Sequence, residues 1–258
     1  MGFDFTGKTV VITGAATGIG AQCCRQFAEA GAFVALNYYP GERDERESAK
    51  LVGEIRAAGG KIERYGVDVS IEQDVYDMVK KIHDTTGRID VVVNNAMTGA
   101  MKPFAELTSE TLWHMMHVNF GGAFYMCKAA IPYMLEQGSG NVIMVSSSAF
   151  INGGGGSAAY PAAKGAMEGL MSGLVNEYAK YGLRFNTVRP SVVATDVQRA
   201  RYNDEEWANY INKMPMRKPT SAKDQADAIM FLADDTVAGS INGHFLNVDA
   251  ARMYHMRP

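Results

Sequence analysis

A tyrosine and a lysine four residues apart, Tyr160 and Lys164, have the clearest chemical potential in this sequence. On a helix, residues four apart lie on one face and project in the same direction. A free tyrosine has a pKa of about 10 and exchanges protons poorly near neutral pH. A cation within about 4–6 Å favours the phenolate and lowers that pKa. The spacing therefore predicts that Tyr160 is a general acid/base activated by Lys164.

Ser147 lies thirteen residues before Tyr160 and follows the apolar run 141–145. This run is typical of a buried strand. A hydroxyl at the end of that strand could hydrogen-bond the oxygen that Tyr160 protonates. A Tyr/Lys pair also occurs incidentally on surface helices, so the catalytic interpretation depends on the rest of the chain.

The glycines Gly14, Gly18 and Gly20 follow the apolar run 8–13 and precede a helix predicted over 21–30. A glycine turn between a strand and a helix N-terminus favours phosphate binding, because the free N–H groups and the helix dipole attract anions. Gly18 would let the backbone approach the phosphates, and Gly20 would let the helix pack on the sheet. A tight turn without a ligand is the alternative.

Strands and helices alternate along the whole chain. The predicted strands are 8–13, 32–38, 61–67, 89–93, 141–146, 183–189 and 244–248, and the predicted helices are 21–30, 44–58, 72–86, 112–135, 160–180 and 221–233. This alternation indicates βαβ units and a parallel, doubly wound α/β sheet. No linker, repeat or low-complexity segment interrupts it, so we expect one domain over residues 1–258.

Composition excludes several functional classes. The 258 residues are 47% hydrophobic, which supplies a large core, and the net charge of −3 comes without a block of like charge that would indicate a nucleic-acid partner. No apolar run reaches the ~18–20 residues of a membrane span. The first residues lack a signal-peptide pattern, so we expect a cytoplasmic protein. Cys23, Cys24 and Cys127 have no metal-binding spacing, and we expect buried, reduced thiols and no metal site.

Together these motifs resemble the short-chain dehydrogenase/reductase superfamily in its single-domain form. The matching residues are Thr13-Gly-Ala-Ala-Thr-Gly-Ile-Gly20, Asp68, Asn94-Asn-Ala96, Asn119, Ser147, Tyr160 with Lys164, and Pro190 with Thr195. The resemblance implies a Rossmann-type sheet of seven parallel strands in the order 3-2-1-4-5-6-7. It also implies an NAD(P)(H)-dependent oxidoreductase that acts on a small-molecule ketone or secondary alcohol.

The resemblance further implies a catalytic tetrad. Tyr160 would exchange a proton with the substrate oxygen, and Ser147 would steady the developing alkoxide. Lys164 would bind the nicotinamide ribose and lower the pKa of Tyr160. Asn119 would hold a water molecule that links Lys164 to solvent. The nicotinamide would carry the hydride.

The cofactor contacts are implied in the same way. The glycines of segment 14–20 would cradle the phosphates, and Asp68 would accept a hydrogen bond from the adenine amino group. Asn94 would hold the turn beside the adenosine ribose, and Thr195 would meet the nicotinamide carboxamide. The implied contacts are Gly14, Thr17, Gly18, Ile19, Gly20, Tyr38, Asp68, Val69, Asn95, Ala96, Tyr160, Lys164, Pro190, Val193 and Thr195.

Three positions depart from the family pattern, which usually has glycine there: Met97, Ser191 and the pair Ala250-Ala251. Met97 could reshape the pocket, or it could be a gap-filling core methionine. The glycine run 153–156 between Ser147 and Tyr160 is either a flexible pocket wall or a plain loop.

The end of the second strand lacks the carboxylate that selects NAD, since Asn37, Tyr38 and Tyr39 occupy this corner. We therefore expect NADP(H) to be preferred and NAD(H) to be possible. Arg43 is the nearest base and could contact the 2′-phosphate, or it could simply begin a solvated helix.

Two other functions fit parts of the same pattern. A 3-oxoacyl-carrier-protein reductase would need a basic surface for its acidic partner, and 136–139 and Tyr181 offer none. A catalytically silent dinucleotide-binding regulator is disfavoured because all four tetrad residues are present. The family implies a homotetramer, for which the apolar residues Met116, Phe120, Phe124, Met167, Leu170, Met171 and Leu174 could supply contacts, unless they face their own sheet.

Overall fold

A computed structural model describes residues 2–200, 202–212 and 214–254. Its seven strands form one parallel sheet in the order β3-β2-β1-β4-β5-β6-β7, as predicted. The strands are β1 (Thr9–Ile12), β2 (Phe33–Tyr38), β3 (Lys61–Gly66), β4 (Val91–Asn94), β5 (Gly140–Val145), β6 (Leu183–Pro190) and β7 (Phe245–Val248). β1 lies between β2 and β4, with Ile12 opposite Leu36 on one side and Val93 on the other.

Helices cover both faces of the sheet. The longer ones are α1 (Gly18–Glu29), α2 (Glu42–Ala57), α3 (Glu72–Thr86), α4 (Ser109–Met116), α5 (Gly122–Gln137), α7 (Ala159–Tyr178), α9 (Asp204–Asn212) and α10 (Ala222–Ala233). The shorter ones are α6 (Ala149–Asn152), α8 (Asp196–Arg199) and α11 (Asp235–Ala238). Single 3-10 turns occur at Phe104–Glu106 and Ala179–Tyr181.

Two hydrophobic cores result, because alternate side chains of each strand point to opposite faces. Val10 and Ile12 join α1, α2 and α10 on one face, whereas Val11 joins α3, α5 and α7 on the other. The strands are apolar on both faces, as parallel sheets require. This layering confirms the doubly wound α/β fold predicted from the alternating pattern.

The long helix predicted over 112–135 is interrupted. α4 leads into a π-helical turn, His117–Gly121, before α5 begins. Gly122 lies so close to the loop after β3 that an added Cβ would meet a Val69 side-chain carbon at 2.8 Å. A bulkier residue here would push the helix away from that loop.

Two helix ends and the three cysteines are well defined locally. Ser221 caps α10 in a capping box with Asp224. Gly87 ends α3 in the left-handed conformation, at φ 73°. Cys23, Cys24 and Cys127 are buried free thiols. Within 2–200, 202–212 and 214–254, no helix is both long and apolar enough to cross a membrane.

Candidate active site

The predicted catalytic residues meet at the carboxyl edge of the sheet, where β4, β5 and β6 end. Tyr160 and Lys164 lie on the first turns of α7, and Ser147 follows β5. The Lys164 side chain is almost fully buried, and its Nζ donates a 2.7 Å hydrogen bond to the carbonyl oxygen of Val145 at the end of β5. Its Nζ lies 5.9 Å from the centroid of the Tyr160 ring. The helical spacing therefore does place the ammonium beside the phenol.

The protonation of this pair differs from the sequence expectation. Burial raises the pKa of Tyr160, and the hydrogen bond with Ser147 only partly offsets this effect. Burial also lowers the pKa of Lys164 to about 8, against the opposing charge of Glu168. The prediction that Lys164 lowers the pKa of Tyr160 is wrong, because desolvation dominates and the Lys164 ammonium donates its hydrogen bond to Val145.

Ser147 is held in place by its neighbour as well as by Tyr160. Its Oγ accepts a 3.1 Å hydrogen bond from the backbone N–H of Ala149. Backbone hydrogen bonds from Ser146 to Val188 and from Ser148 to Pro190 tie this segment to β6. The serine hydroxyl therefore lies at a rigid strand end, next to the phenol.

Asn119 lies in the π-helical turn between α4 and α5 and is fully buried. Its Oδ1 accepts from the Thr98 N–H at 2.7 Å, and its Nδ2 donates to the Thr98 carbonyl at 2.9 Å. The side chain thus clamps the segment that follows β4. π-helical turns are often found at functional sites. A water bound to the Asn119 amide remains a prediction, and the clamp leaves only the second lone pair of Oδ1 and the second proton of Nδ2 for it.

The glycine segment has the shape of a phosphate cradle. Gly14 and Gly18 adopt φ 60° and 61°, which glycine alone reaches without strain. A Cβ on Gly20 would lie 2.7 Å from the Ala15 Cα, so α1 can pack here only through glycine. A Cβ on Gly18 would touch only Thr195, at 3.7 Å, which leaves room above the loop.

The N-terminus of α1 opens onto this space. Its cap residue, Thr17, has an extended backbone and makes no side-chain cap hydrogen bond, and Ile19 follows in the first turn. Uncapped first-turn N–H groups suit an anion. The cradle therefore fits a dinucleotide pyrophosphate, which these backbone groups would hold.

Asn95, not Asn94, holds the turn beside the glycine segment. Its Nδ2 donates to the carbonyl oxygens of Thr13 and Gly14 at 2.9 and 3.0 Å. The Thr13 hydroxyl accepts from the N–H groups of Asn95 and Ala96, both at 3.0 Å. The role predicted for Asn94 is wrong, because its amide is buried against the sulfurs of Cys127 and Met144. Sequence reasoning gave Thr13 no role, although its place beside Gly14 was a signal.

Asp68 and Val69 follow β3 at the same edge of the sheet. One carboxylate oxygen of Asp68 accepts from the backbone and hydroxyl of Ser70, at 2.9 and 2.8 Å. The carboxylate is half-buried and held in a fixed pose, and Val69 is buried beneath it. This arrangement is compatible with the predicted hydrogen bond to an adenine amino group.

Most polar side chains at the corner after β2 already have partners within the protein. The Asn37 amide accepts from the Gly14 N–H and donates to the Val67 carbonyl, at 3.3 and 2.9 Å. The Tyr38 phenol donates a 2.5 Å hydrogen bond to Glu45 Oε2, and the same carboxylate pairs with Arg64 at 2.7 Å. Tyr38 is buried and turned away from solvent, so its predicted cofactor contact would have to use its backbone.

The loop after β6 reaches the glycine segment. The Thr195 methyl lies beside Gly18, and its hydroxyl accepts from the Gln198 N–H at 3.3 Å. Val193 forms a short parallel bridge with Thr220, which anchors this loop to the start of α10. Pro190 ends β6 at the level of Ser148. Thr195 therefore lies beside the phosphate cradle, and Pro190 lies beside the segment that carries Ser147.

The glycine run 153–156 lies against the catalytic tyrosine. A Cβ on Gly155 would overlap the Tyr160 ring, and one on Gly156 would overlap the Met101 sulfur. Both glycines have positive φ, 92° and 85°. Met97 and Met101 are 52% and 72% exposed, so the interpretation of Met97 as a core residue is wrong. These apolar side chains stand at the mouth of the site.

The described parts of the chain contain no group of three or more His, Cys, Asp or Glu side chains able to hold a metal ion.

Comparison with known proteins agrees with this geometry. The family model described as short chain dehydrogenase matches residues 8–206, and the chain belongs to that family. It is 32% identical over 253 residues to an L-rhamnose 1-dehydrogenase (NAD(P)(+)) of Sphingomonas sp. (strain SKA58), covering 97% of this chain and 98% of that one. It is 34% identical over 247 residues to a glucose 1-dehydrogenase of Gluconobacter oxydans (strain 621H), covering 95% and 91%.

The fold is also similar to solved structures. A putative NAD(P)-dependent gluconate 5-dehydrogenase from Beutenbergia cavernae, with NADP bound at low occupancy, superposes with a TM-score of 0.89. The two chains are 29% identical, and the match covers 98% of this chain and 99% of that one. The protein is a pyridine-nucleotide oxidoreductase acting on an alcohol or ketone.

Proposed function

We propose that the protein transfers a hydride between NADP(H) and a small-molecule ketone or secondary alcohol, with NAD(H) accepted more weakly. The observation that carries the proposal is the buried Lys164 beside Tyr160, with the Ser147 hydroxyl bonded to the phenol. This group stands at the same edge of the sheet as the phosphate cradle.

The nicotinamide, when bound, supplies or accepts the hydride. In reduction the Tyr160 phenol gives its proton to the substrate oxygen, and in oxidation the phenolate removes it. Ser147 donates a hydrogen bond to the same oxygen as negative charge develops there. Lys164 would hold the nicotinamide ribose and, with a pKa of about 8, can exchange a proton near physiological pH.

The rate in each direction should then depend on pH. Because burial raises the pKa of Tyr160, the phenol is the dominant form near neutrality. Reduction uses that form and should proceed there. Oxidation uses the phenolate, so its rate should rise as the pH becomes alkaline.

The substrate is proposed to be a free small molecule. The relatives' names include sugar dehydrogenases, a 3beta-hydroxysteroid dehydrogenase of Eggerthella lenta at 33% identity, and a 3-oxoacyl-[acyl-carrier-protein] reductase of Thermotoga maritima at 29%. The segment 136–139 offers no basic docking surface for an acidic carrier protein. A panel of sugars, polyols, hydroxysteroids and acyl thioesters would separate these substrate classes.

Tyr160→Phe tests the chemistry. The change keeps the ring and removes the proton, so turnover should fall by roughly 10²–10⁴-fold while cofactor binding survives. Steady-state rates and quenching of protein fluorescence by NADPH measure the two effects. Lys164→Ala should reduce both, because Lys164 serves both. The control is Tyr181→Phe, which alters a half-exposed tyrosine at the far end of the same helical segment. Near-normal turnover of Tyr160→Phe would refute the assignment.

The broader expectations belong to the same proposal. We infer that residues 1–258 act as one dinucleotide-binding and catalytic domain, in the cytoplasm, without a nucleic-acid or membrane partner. The working form is proposed to be a homotetramer. The net charge of −3 without a block of like charge supports the expectation of no nucleic-acid partner, and the exposed aromatic residues on α4 and α5 support the homotetramer.

A further inference from the structure

A buried ion pair joins α7 to β6, one helical turn beyond Lys164. The guanidinium of Arg189, on β6, binds the Glu168 carboxylate through two hydrogen bonds, Nε to Oε1 at 2.8 Å and Nη2 to Oε2 at 2.6 Å. The two side chains are only 14% and 4% exposed. The guanidinium carbon also lies 4.4 Å from the centroid of the Phe245 ring. The Arg189 guanidinium is therefore held by Glu168 on one side and by Phe245 on the other.

Packing alone does not explain why charges are buried here. Removing two charges from water is costly, and apolar residues of similar volume often stabilise a fold equally well. The pair joins α7, which carries Tyr160 and Lys164, to β6, whose end leads into the loop that carries Thr195. A bidentate pair fixes both distance and angle between these two elements.

The pair also acts on Lys164 electrostatically. Glu168 is four residues after Lys164, on the same helical face. Its charge raises the pKa of the lysine against the effect of burial. The other ionisable groups near Lys164 and Glu168 are Tyr160 on α7 and Arg189 on β6. The neighbouring elements β5, α6 and β7 contain no ionisable side chain.

Groups on the remaining neighbours point elsewhere. His114 of α4 and His117 of the π-helical turn are exposed. Lys128 of α5 lies over the Phe124 ring, on the outer side of its helix. Glu168 is therefore the charged group that acts on Lys164, and its own carboxylate is paired with Arg189.

We propose that Glu168 and Arg189 are positioning residues for the reaction, which fix α7 against β6 and set the charge around the Tyr160–Lys164 pair. The effect of this ion pair on catalysis rests on the function proposed above. The effect of the ion pair on the ionisation of Tyr160 does not, because that ionisation can be measured without substrate or cofactor.

The test is an ultraviolet titration of tyrosinate in the ligand-free protein, read as the difference between each variant and the same variant carrying Tyr160→Phe. Glu168→Gln leaves Arg189 unbalanced, and the extra positive charge should shift the Tyr160 titration down by roughly 0.5–1 pH unit. Arg189→Gln leaves the carboxylate and should shift it up. The double variant restores neutrality and should titrate close to the wild-type protein.

A purely structural role gives a different result. Both single variants would then lose thermal stability and move the Tyr160 titration in the same direction or not at all, and this outcome would overturn the proposal. The matched control is Arg184→Gln. Arg184 is a buried arginine on the same strand that pairs with Asp235 at 2.7 Å, five residues from Arg189. It should lower Tm without moving the titration.

Two replacement variants and the pH profile of the reaction complete the test. A single variant that does not fold is replaced by Glu168→Ala or Arg189→Met, which make the same changes of charge. In active variants, the pH profile of alcohol oxidation should move in the same direction as the tyrosinate titration. If the titration moves as expected and no variant nor the wild type oxidises any alcohol, the positioning effect stands and the proposed function fails.

Discussion

The residues that would meet the adenosine ribose leave few side chains free for a 2′-phosphate. Asn37 is committed to backbone groups, and the Glu45 carboxylate is bound by both Tyr38 and Arg64. The Glu45 carboxylate is therefore already paired and does not present a free negative charge to a phosphate at this corner. Tyr39 is 59% exposed, and Arg43 is exposed at the start of α2 without an ion pair to any residue in the described ranges.

Arg43→Ala should therefore change cofactor use selectively. If Arg43 contacts the 2′-phosphate, the variant should raise the KM for NADPH by roughly 10-fold, equivalent to about 1.4 kcal/mol, and leave the KM for NADH nearly unchanged. Arg46→Ala, one turn further along α2, is the control, because Arg46 already pairs with Glu47. A wild-type protein that uses NADH much better than NADPH at equal concentrations would contradict this assignment.

Single-residue chemistry was predictable where it depends on spacing, and not where it depends on burial. The four-residue interval places Lys164 beside Tyr160, as predicted. The direction of the Tyr160 pKa was wrong, because the desolvation that raises it comes from distant parts of the chain. The exchange of Asn94 for Asn95 has a similar cause. Adjacent strand residues point to opposite faces, and the sequence does not show which one faces the glycine segment.

At the level of elements, the turn after β7 carries conformational strain. Ala250 and Ala251 adopt φ 52° and 63°, in the left-handed region that favours glycine. Asp249 holds this turn by accepting from the backbone N–H groups of Ala251 and Met253, at 3.0 and 3.1 Å. The family pattern of two glycines at these positions is consistent with the conformation seen here.

Ala251→Gly is expected to stabilise the protein. Relief of the left-handed strain is worth about 1–2 kcal/mol, and the greater freedom of glycine in the unfolded chain costs about 0.4–1 kcal/mol. The net gain in the free energy of unfolding should be about 0.5–1 kcal/mol, measured by urea denaturation. Ala57→Gly, at an exposed position in the last turn of α2, is the control and should destabilise. A loss of stability in Ala251→Gly would show that the turn is not strained.

The order and type of the elements followed from alternating patterns, whereas the interruption of α4–α5 did not. Apolar periodicity continues through 112–135, so it predicts one helix. The π-helical turn inserts the extra residue that brings Asn119 onto Thr98, a contact made by a segment about twenty positions away in the chain. Local pattern cannot reveal a turn that long-range hydrogen bonds stabilise.

At the scale of the whole molecule, apolar residues that are buried in the two cores cannot contact another subunit. Met167 and Met171 are fully buried in the core beneath α3, α5 and α7, so the prediction that they supply intersubunit contacts is wrong. Leu170 and Leu174 are partly buried against the same core. On the preceding helices, Trp113 is 56% exposed and Phe124 is 37% exposed. The Phe120 ring, in the π-helical turn, lies tilted against Phe124 with the ring centroids 6.3 Å apart. Exposed aromatics of this kind favour a protein interface.

The proposed homotetramer should therefore depend on the outer face of α4 and α5. Phe124→Glu places a charge on that face, so it should dissociate the assembly into smaller species at micromolar concentration without unfolding the subunit. Sedimentation velocity measures the species, and circular dichroism checks the fold. Val237→Glu, on the half-exposed α11 at the other end of the sheet, is the control and should leave the assembly intact. If the wild-type protein sediments as a monomer at micromolar concentration, the tetramer is excluded, and the exposed aromatics of α4 and α5 then need a different explanation.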